Sequence, residues 1–140
     1  MDERRILIVE DEPKIANTLK LGLTENGYDV EAAYDGRAGL KLWESRKFDL
    51  LVLDLNLPGL NGYELCKIIR SQNSQMPIIM LTALNSMNDK IEGYEAGADD
   101  YIIKPFEFRE LQMKIRVLLK RTSNQHFPVG NILKVGDLEV

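Results

Sequence analysis

The side chains best suited to chemistry stand where short apolar runs stop. Residues 6–9 are followed by Glu10-Asp11-Glu12, residues 50–53 by Asp54, residues 78–81 by Thr82, and residues 101–103 by Lys104-Pro105. Any one acidic residue at the end of such a run is ordinarily a helix cap or a solvated loop residue. The ordered set of carboxylates, a carboxylate, a hydroxyl and an ammonium is harder to assign to caps. Carboxylates held together repel unless a cation lies among them, and hard oxygen donors of this kind suit Mg²⁺ completed by waters and phosphate oxygens. The Asp54 carboxylate could then attack a phosphoryl group in line and leave an acyl phosphate. Lys104 and the metal would neutralise the equatorial oxygens, and the Thr82 hydroxyl would donate to one of them. Dinucleotide binding is a poor competitor. The turn after the first run lacks G-x-G-x-x-G and is acidic where a pyrophosphate would lie, and the chain has no Walker A sequence.

The elements that would position these residues follow from periodicity. Short apolar runs alternate with segments of helical period five times, the pattern of βαβ units. After residues 6–9, Pro13 stands at a first helical position and Ile15, Leu19 and Leu23 form a stripe that Gly27 closes. A weaker strand covers 28–33. Asp35 caps a short helix carrying Leu40 and Trp43, and 50–53 is a strand ending in Asp54. Asn61, with Glu64 three residues on, opens the next helix, and Pro77 leads into the strand 78–81. Ser86-x-x-Asp89 resembles a capping box for a helix that Gly97 ends. Strand 101–103 precedes a final helix striped by Phe108, Leu111, Ile115 and Leu118 and running to about Arg121. Strands one and three are apolar throughout, so both faces are covered, and the expected fold is doubly wound α/β with a parallel sheet and helices on each side. Ligands of such sheets bind at the carboxyl ends of the strands, where the reactive residues stand.

The chain has 140 residues, net charge −4, 44% apolar and 29% charged residues, which suits one soluble globular domain and disfavours large-scale phosphate-backbone binding by this piece. One cysteine and one histidine cannot build a disulfide or a zinc cluster. With no signal-peptide hydrophobic region and no apolar stretch of about 18 residues, the expectation is a cytoplasmic protein without membrane contact. Residues 122–131 read as a linker. Residues 132–140 alternate apolar and polar around Gly136-Asp137 like the opening of a hairpin, so 132–140 is expected to begin a further domain of a longer protein.

Ile6-Leu-Ile-Val-Glu-Asp-Glu12, Leu53-Asp-Leu-Asn-Leu-Pro-Gly59 with Gly62, Met80-Leu-Thr-Ala83, Gly97-Ala-Asp-Asp100 and Tyr101-Ile-Ile-Lys-Pro-Phe106 together resemble the receiver domain of bacterial two-component response regulators, over about residues 4–121. The resemblance implies a receiver domain at 1–121 with a flavodoxin-like (βα)5 fold and strand order 2-1-3-4-5. It implies that Glu10, Asp11 and Asp54 bind Mg²⁺ with the backbone carbonyl of Asn56, and that Asp54 accepts a phosphoryl group from a histidine kinase's phosphohistidine. Thr82 and Lys104 would contact the phosphoryl oxygens, with a cis Lys104-Pro105 bond. Such a domain is a phosphoacceptor regulator, limited to self-catalysed phosphoryl transfer and slow autodephosphorylation, rather than a turnover enzyme. Glu10 stands where many receivers have Asp, and Asn61 where Asp is frequent. Leu84 cannot aim an attacking water, which points to a long-lived phosphoryl group.

Gly97-Ala-Asp-Asp-Tyr101 and the Lys120-Arg121 ending are similar to the OmpR/PhoB-type regulators, whose second domain is a DNA-binding winged helix opening with strands like 132–140. By this likeness DNA is bound through the missing domain. The likeness also implies that Thr82 moves toward the phosphoryl group and that Tyr101 fills the vacated space from an outward position. It implies that phosphorylation drives a two-fold homodimer through the helix after Ser86, the fifth strand and the final helix, with cross-pairs Lys90 to Glu110, Asp100 to Lys114, and Asp99 to Arg121.

Two alternatives stand beside this reading. A haloacid dehalogenase-type phosphatase also uses an aspartate nucleophile, but it needs a second aspartate two residues on, where this chain has Asn56. A stand-alone receiver acting only through protein partners is the other. Trp43, the methionines and Cys66 read as core or packing residues, and His126 is assigned no function.

Overall fold

A computed structural model describes residues 4–83, 91 and 94–124. Its elements are β1 (Arg5–Val9), α1 (Pro13–Glu25), β2 (Asp29–Ala33), α2 (Gly36–Ser45), β3 (Leu50–Asp54), α3 (Gly62–Gln72), β4 (Ile78–Thr82), β5 (Asp100–Ile103) and α4 (Phe108–Asn124). Ile91 and Tyr94 to Ala96 are also helical, and most of the helix expected after Ser86, with Leu84 and Lys90, lies outside the described residues, as do 125–140.

The five strands are parallel in the order β2-β1-β3-β4-β5, the expected flavodoxin-like arrangement. Successive side chains on a strand point to opposite faces, so a sheet covered on both sides needs apolar residues at every position. Leu7, Val9, Leu51, Leu53 and Met80 pack on one face with Leu65, Cys66 and Ile69 of α3. Ile6, Ile8, Leu50, Val52, Ile79 and Ile102 pack on the other with Leu19 and Leu23 of α1 and Leu111 and Ile115 of α4. Each such aliphatic side chain contributes about 1.5 to 3 kcal/mol on burial. Cys66 belongs to the first layer, its Sγ 3.5 Å from the Ala96 carbonyl oxygen, and burial pushes its thiol up to about 11.

Helix starts follow the capping residues. Asp35 Oδ1 accepts from Ala38 N at 2.7 Å at the start of α2. Asn61 and Glu64 form a reciprocal box at α3, with Glu64 N to Asn61 Oδ1 at 3.0 Å and Asn61 N to Glu64 Oε1 at 3.2 Å. α1 begins with Pro13 and no side-chain cap; proline has no N–H to satisfy. α4 runs to Asn124, three residues beyond the expected end at Arg121, so the first residues assigned to the 122–131 linker are helical. Apolar period ends there, but the next proline is Pro128, and nothing in Thr122-Ser123-Asn124 breaks a helix already propagating.

Candidate functional site

Ladder hydrogen bonds continue one residue past the strands and gather the reactive side chains at one edge of the sheet. Glu10 N donates to Ala33 O at 3.0 Å, Leu55 N to Leu81 O at 2.8 Å, and Lys104 N to Thr82 O at 2.7 Å. Because β1 lies beside β3, Glu10, Asp11 and Asp54 converge, with one carboxylate oxygen from each lying within 4.8 Å of the others. Glu10, Asp54 and Thr82 are buried and Asp11 is exposed, so the cluster opens to solvent on the Asp11 side.

Lys104 is the counter-charge. Its Nζ donates to Asp54 Oδ2 at 3.3 Å and forms an ion pair with the buried Glu10 Oε1 at 2.9 Å. The Lys104-Pro105 peptide is cis, as the resemblance implies. Burial works against the ammonium, but Glu10 and Asp54 outweigh it and hold Lys104 above its ordinary value. Burial, then the Glu10 charge, push Asp54 up to about 7, against the lowering effects of Lys104 and of Asn56 N, which donates to Asp54 Oδ1 at 3.3 Å. Glu10 Oε2 accepts from Glu12 N at 3.0 Å.

Three carboxylates against one ammonium leave two negative charges when all are ionised. A hard divalent cation matches that deficit and suits a cluster of carboxylate oxygens, so the residues fit Mg²⁺.

Glycine sets the backbone path here. At Gly62 a Cβ would strike the Asp54 carbonyl oxygen, and at Gly36 it would strike the Leu60 carbonyl oxygen. The loop after Asp54 is therefore pinned by α3 at its start and by α2 near its end.

Thr82 ends β4 in register with Ile103, so it shares a sheet face with Tyr101 on the diagonal. Tyr101 is 7% exposed and lies edge-on to Tyr94, with ring centroids 5.4 Å apart at 63°. The resemblance implies a ring that turns from an outward to an inward position; here it is buried, with Tyr94 packed against it.

The charges expected at a dimer face meet partners within the chain. Asp100 Oδ2 pairs with Lys114 Nζ at 2.9 Å. Asp99 Oδ2 accepts from Ile78 N at 2.8 Å and from Arg70 Nη2 at 3.0 Å. Glu110 and Arg121 are exposed on α4. Arg70 was not singled out by sequence reasoning. Its guanidinium also donates to the carbonyls of Gly97, Asn73 and Ser74 and ties the end of α3 to the turn before β5. The signal available was a basic residue in a last helical turn, where carbonyls lack partners.

Beside Lys104 lies an apolar cleft of about 560 Å³ between α1 and the segment from Lys104 to Phe108, lined by Ile15, Leu19, Pro105 and Phe106 among others.

A family model described as the response regulator receiver domain matches residues 6–116. Response regulator ArlR of Staphylococcus aureus is 50% identical over 117 residues, covering 84% of this chain and 53% of that protein. A probable transcriptional regulator, ycf27, of Porphyridium aerugineum is 42% identical over 144 residues, covering 100% of this chain and 60% of that protein. The chain thus spans little more than half the length of these curated relatives. Among solved structures, the response regulator TrrA of Thermotoga maritima, in complex with Mg²⁺-BeF, is 38% identical with a TM-score of 0.75, covering 82% of this chain and 98% of that one.

Proposed function

The chain belongs to the response regulator receiver domain family, and from that premise we propose that Asp54 is the residue that accepts a phosphoryl group from a histidine kinase. One observation carries the reading. The Asp54 carboxylate is 3% exposed, 3.3 Å from Lys104 Nζ and clustered with the carboxylates of Glu10 and Asp11. An aspartate oxygen attacks phosphorus in line, the bond from phosphorus to the kinase's histidine nitrogen breaks, and an acyl phosphate forms. Glu10, Asp11, Asp54 and the backbone carbonyl of Asn56 would hold Mg²⁺, which would supply positive charge against the carboxylates and the incoming phosphate. Lys104 holds the remaining charge and contacts a phosphoryl oxygen, and the Thr82 hydroxyl donates to another. The acid two residues after the nucleophile that a haloacid dehalogenase-type phosphatase requires is the amide Asn56, so the domain acts as a regulator and not as a turnover phosphatase.

Thr82 and Tyr101 couple the acceptor to the surface around β5 and α4, and phosphorylation drives a two-fold dimer there. Each intrachain pair, Asp100 with Lys114 and Asp99 with Arg70, is then exchanged or shared with the partner copy. The apolar cleft beside Lys104 supports docking of the kinase next to the acceptor. The probable transcriptional regulator among the relatives supports an output through DNA by a domain beyond this one.

Intact-mass analysis after incubation with Mg²⁺ and acetyl phosphate tests the acceptor. One base-labile phosphoryl adduct is expected, absent from Asp54→Asn and from wild type in excess chelator. An adduct of undiminished rate in either case would overturn the assignment.

A further inference from the structure

The apolar cleft between α1 and the segment from Lys104 to Phe108 is continuous with the acceptor site. Lys104 lines the cleft and reaches Asp54 at 3.3 Å, and Ala83, also on its lining, directly follows Thr82. The rest of the apolar wall is Ile15 and Leu19 from α1 with Pro105, Phe106 and Phe108, around a volume of about 560 Å³. Gly22 seats Phe108 against α1, since a Cβ there would lie 2.7 Å from the ring's Cζ. The charged residues of the lining, Lys14 and Lys104, are both cations. Apolar walls with a few placed charges suit a small molecule that is apolar at one end and anionic at the other.

We propose that this cleft seats the acyl group of a small acyl-phosphate donor, so that Asp54 takes its phosphoryl group from aromatic acyl phosphates in preference to acetyl phosphate. The inference rests on the reading of Asp54 as acceptor. An Asp54 oxygen forms the new bond to phosphorus, and the bond from phosphorus to the acyl oxygen breaks. The carboxylate leaves with that electron pair, so the step needs no proton and no further reactant. Lys14 and Lys104 place positive charge beside the anionic donor, and the acyl group, remote from phosphorus, contributes binding that holds the donor for attack. The cleft takes a kinase or a small donor, not both at once.

The test compares labelling of this chain in Mg²⁺ by benzoyl phosphate and by acetyl phosphate, both below saturation, with rates read by intact mass. Wild type should favour benzoyl phosphate about 10-fold, the low end of what added carbon commands in an apolar pocket, because this cleft is open to solvent. Thr18 is exposed on α1 and lines the cleft, so Thr18→Leu adds apolar wall without touching the core. It should widen the benzoyl-to-acetyl ratio about 2- to 4-fold. Ile15→Asn should remove most of the preference, with circular dichroism checking its fold. The donors' own reactivities cancel when ratios are compared between proteins, so a ratio unmoved by Thr18→Leu would overturn the proposal even if Ile15→Asn did not fold. Labelling of Asp54→Asn by both donors would instead remove the acceptor reading beneath it.

Discussion

Two groups of charges lie on this sheet, and they differ in burial more than in distance. At the ends of β1, β3 and β5, Lys104 sits 2.9 Å from Glu10 and 3.3 Å from Asp54, and both acids are almost wholly removed from water. On the β5 and α4 surface, Lys114 sits 2.9 Å from Asp100, and Arg70 3.0 Å from Asp99, with side chains a fifth to a third exposed. Solvent screens the second group, so its pairs can be traded for others at little cost. The first group has no such freedom. With two acids and one base in a low-dielectric site, the excess charge must be met by a proton or a metal. Burial thus separates a cluster that needs a proton or a metal from one whose pairs solvent screens.

Removing the base from each cluster breaks the comparison most sharply. Lys104→Met leaves Glu10 and Asp54 buried without a counter-charge, and the metal-free protein should lose about 3 to 5 kcal/mol at pH 8 in urea denaturation. A loss below about 1 kcal/mol would show the site to be far wetter than its burial implies.

A somewhat smaller effect is expected from pH. Asp54 has a folded value of about 7 against 3.8 when unfolded, so between those values the native state holds the proton more tightly. Its contribution to stability is complete below about pH 4 and is lost as pH rises through 7, by roughly 2 to 4 kcal/mol in chelator. Asp54→Asn should remove that slope and be the more stable protein at pH 8, and Mg²⁺ should restore wild type. Parallel pH profiles for the two proteins would refute the raised value.

The exposed counterpart should respond least. Lys114→Met is expected to change stability by about 0 to 1 kcal/mol, diminishing further in high salt. A cost above 2 kcal/mol would place Asp100 in the same class as Asp54.

The sheet was readable because a parallel strand covered on both faces has no polar positions: β1, β3 and β4 announce themselves as unbroken apolar runs, and Asp54 as their interruption. Asp35, Asn61 and Glu64 marked helix starts for an equally local reason, since a cap bonds to an amide three residues away. Long-range partners were not legible in the same way. Nothing near Lys104 in sequence says that it lies closer to Glu10 than to Asp54, nor that Asp99 is claimed by Arg70, 29 residues earlier. The family likeness suggested pairs of 99 and 100 with a second copy, whereas their partners within the chain are set by how α3 and α4 lie on the sheet. Tyr94 carried no signal, as an aromatic residue in a helix is usually packing.

Cys66 has a use for the experimenter. Its thiol is fully buried and its value near 11 leaves about one thiolate in a thousand at pH 8, out of reach of reagents in solution. It is also the only cysteine in the chain. A second cysteine introduced on the surface of α1 or α4 could therefore take a maleimide dye or a nitroxide with the native thiol left in place. Distances between labelled copies, or between a label and a kinase, would then be read on an otherwise unaltered core.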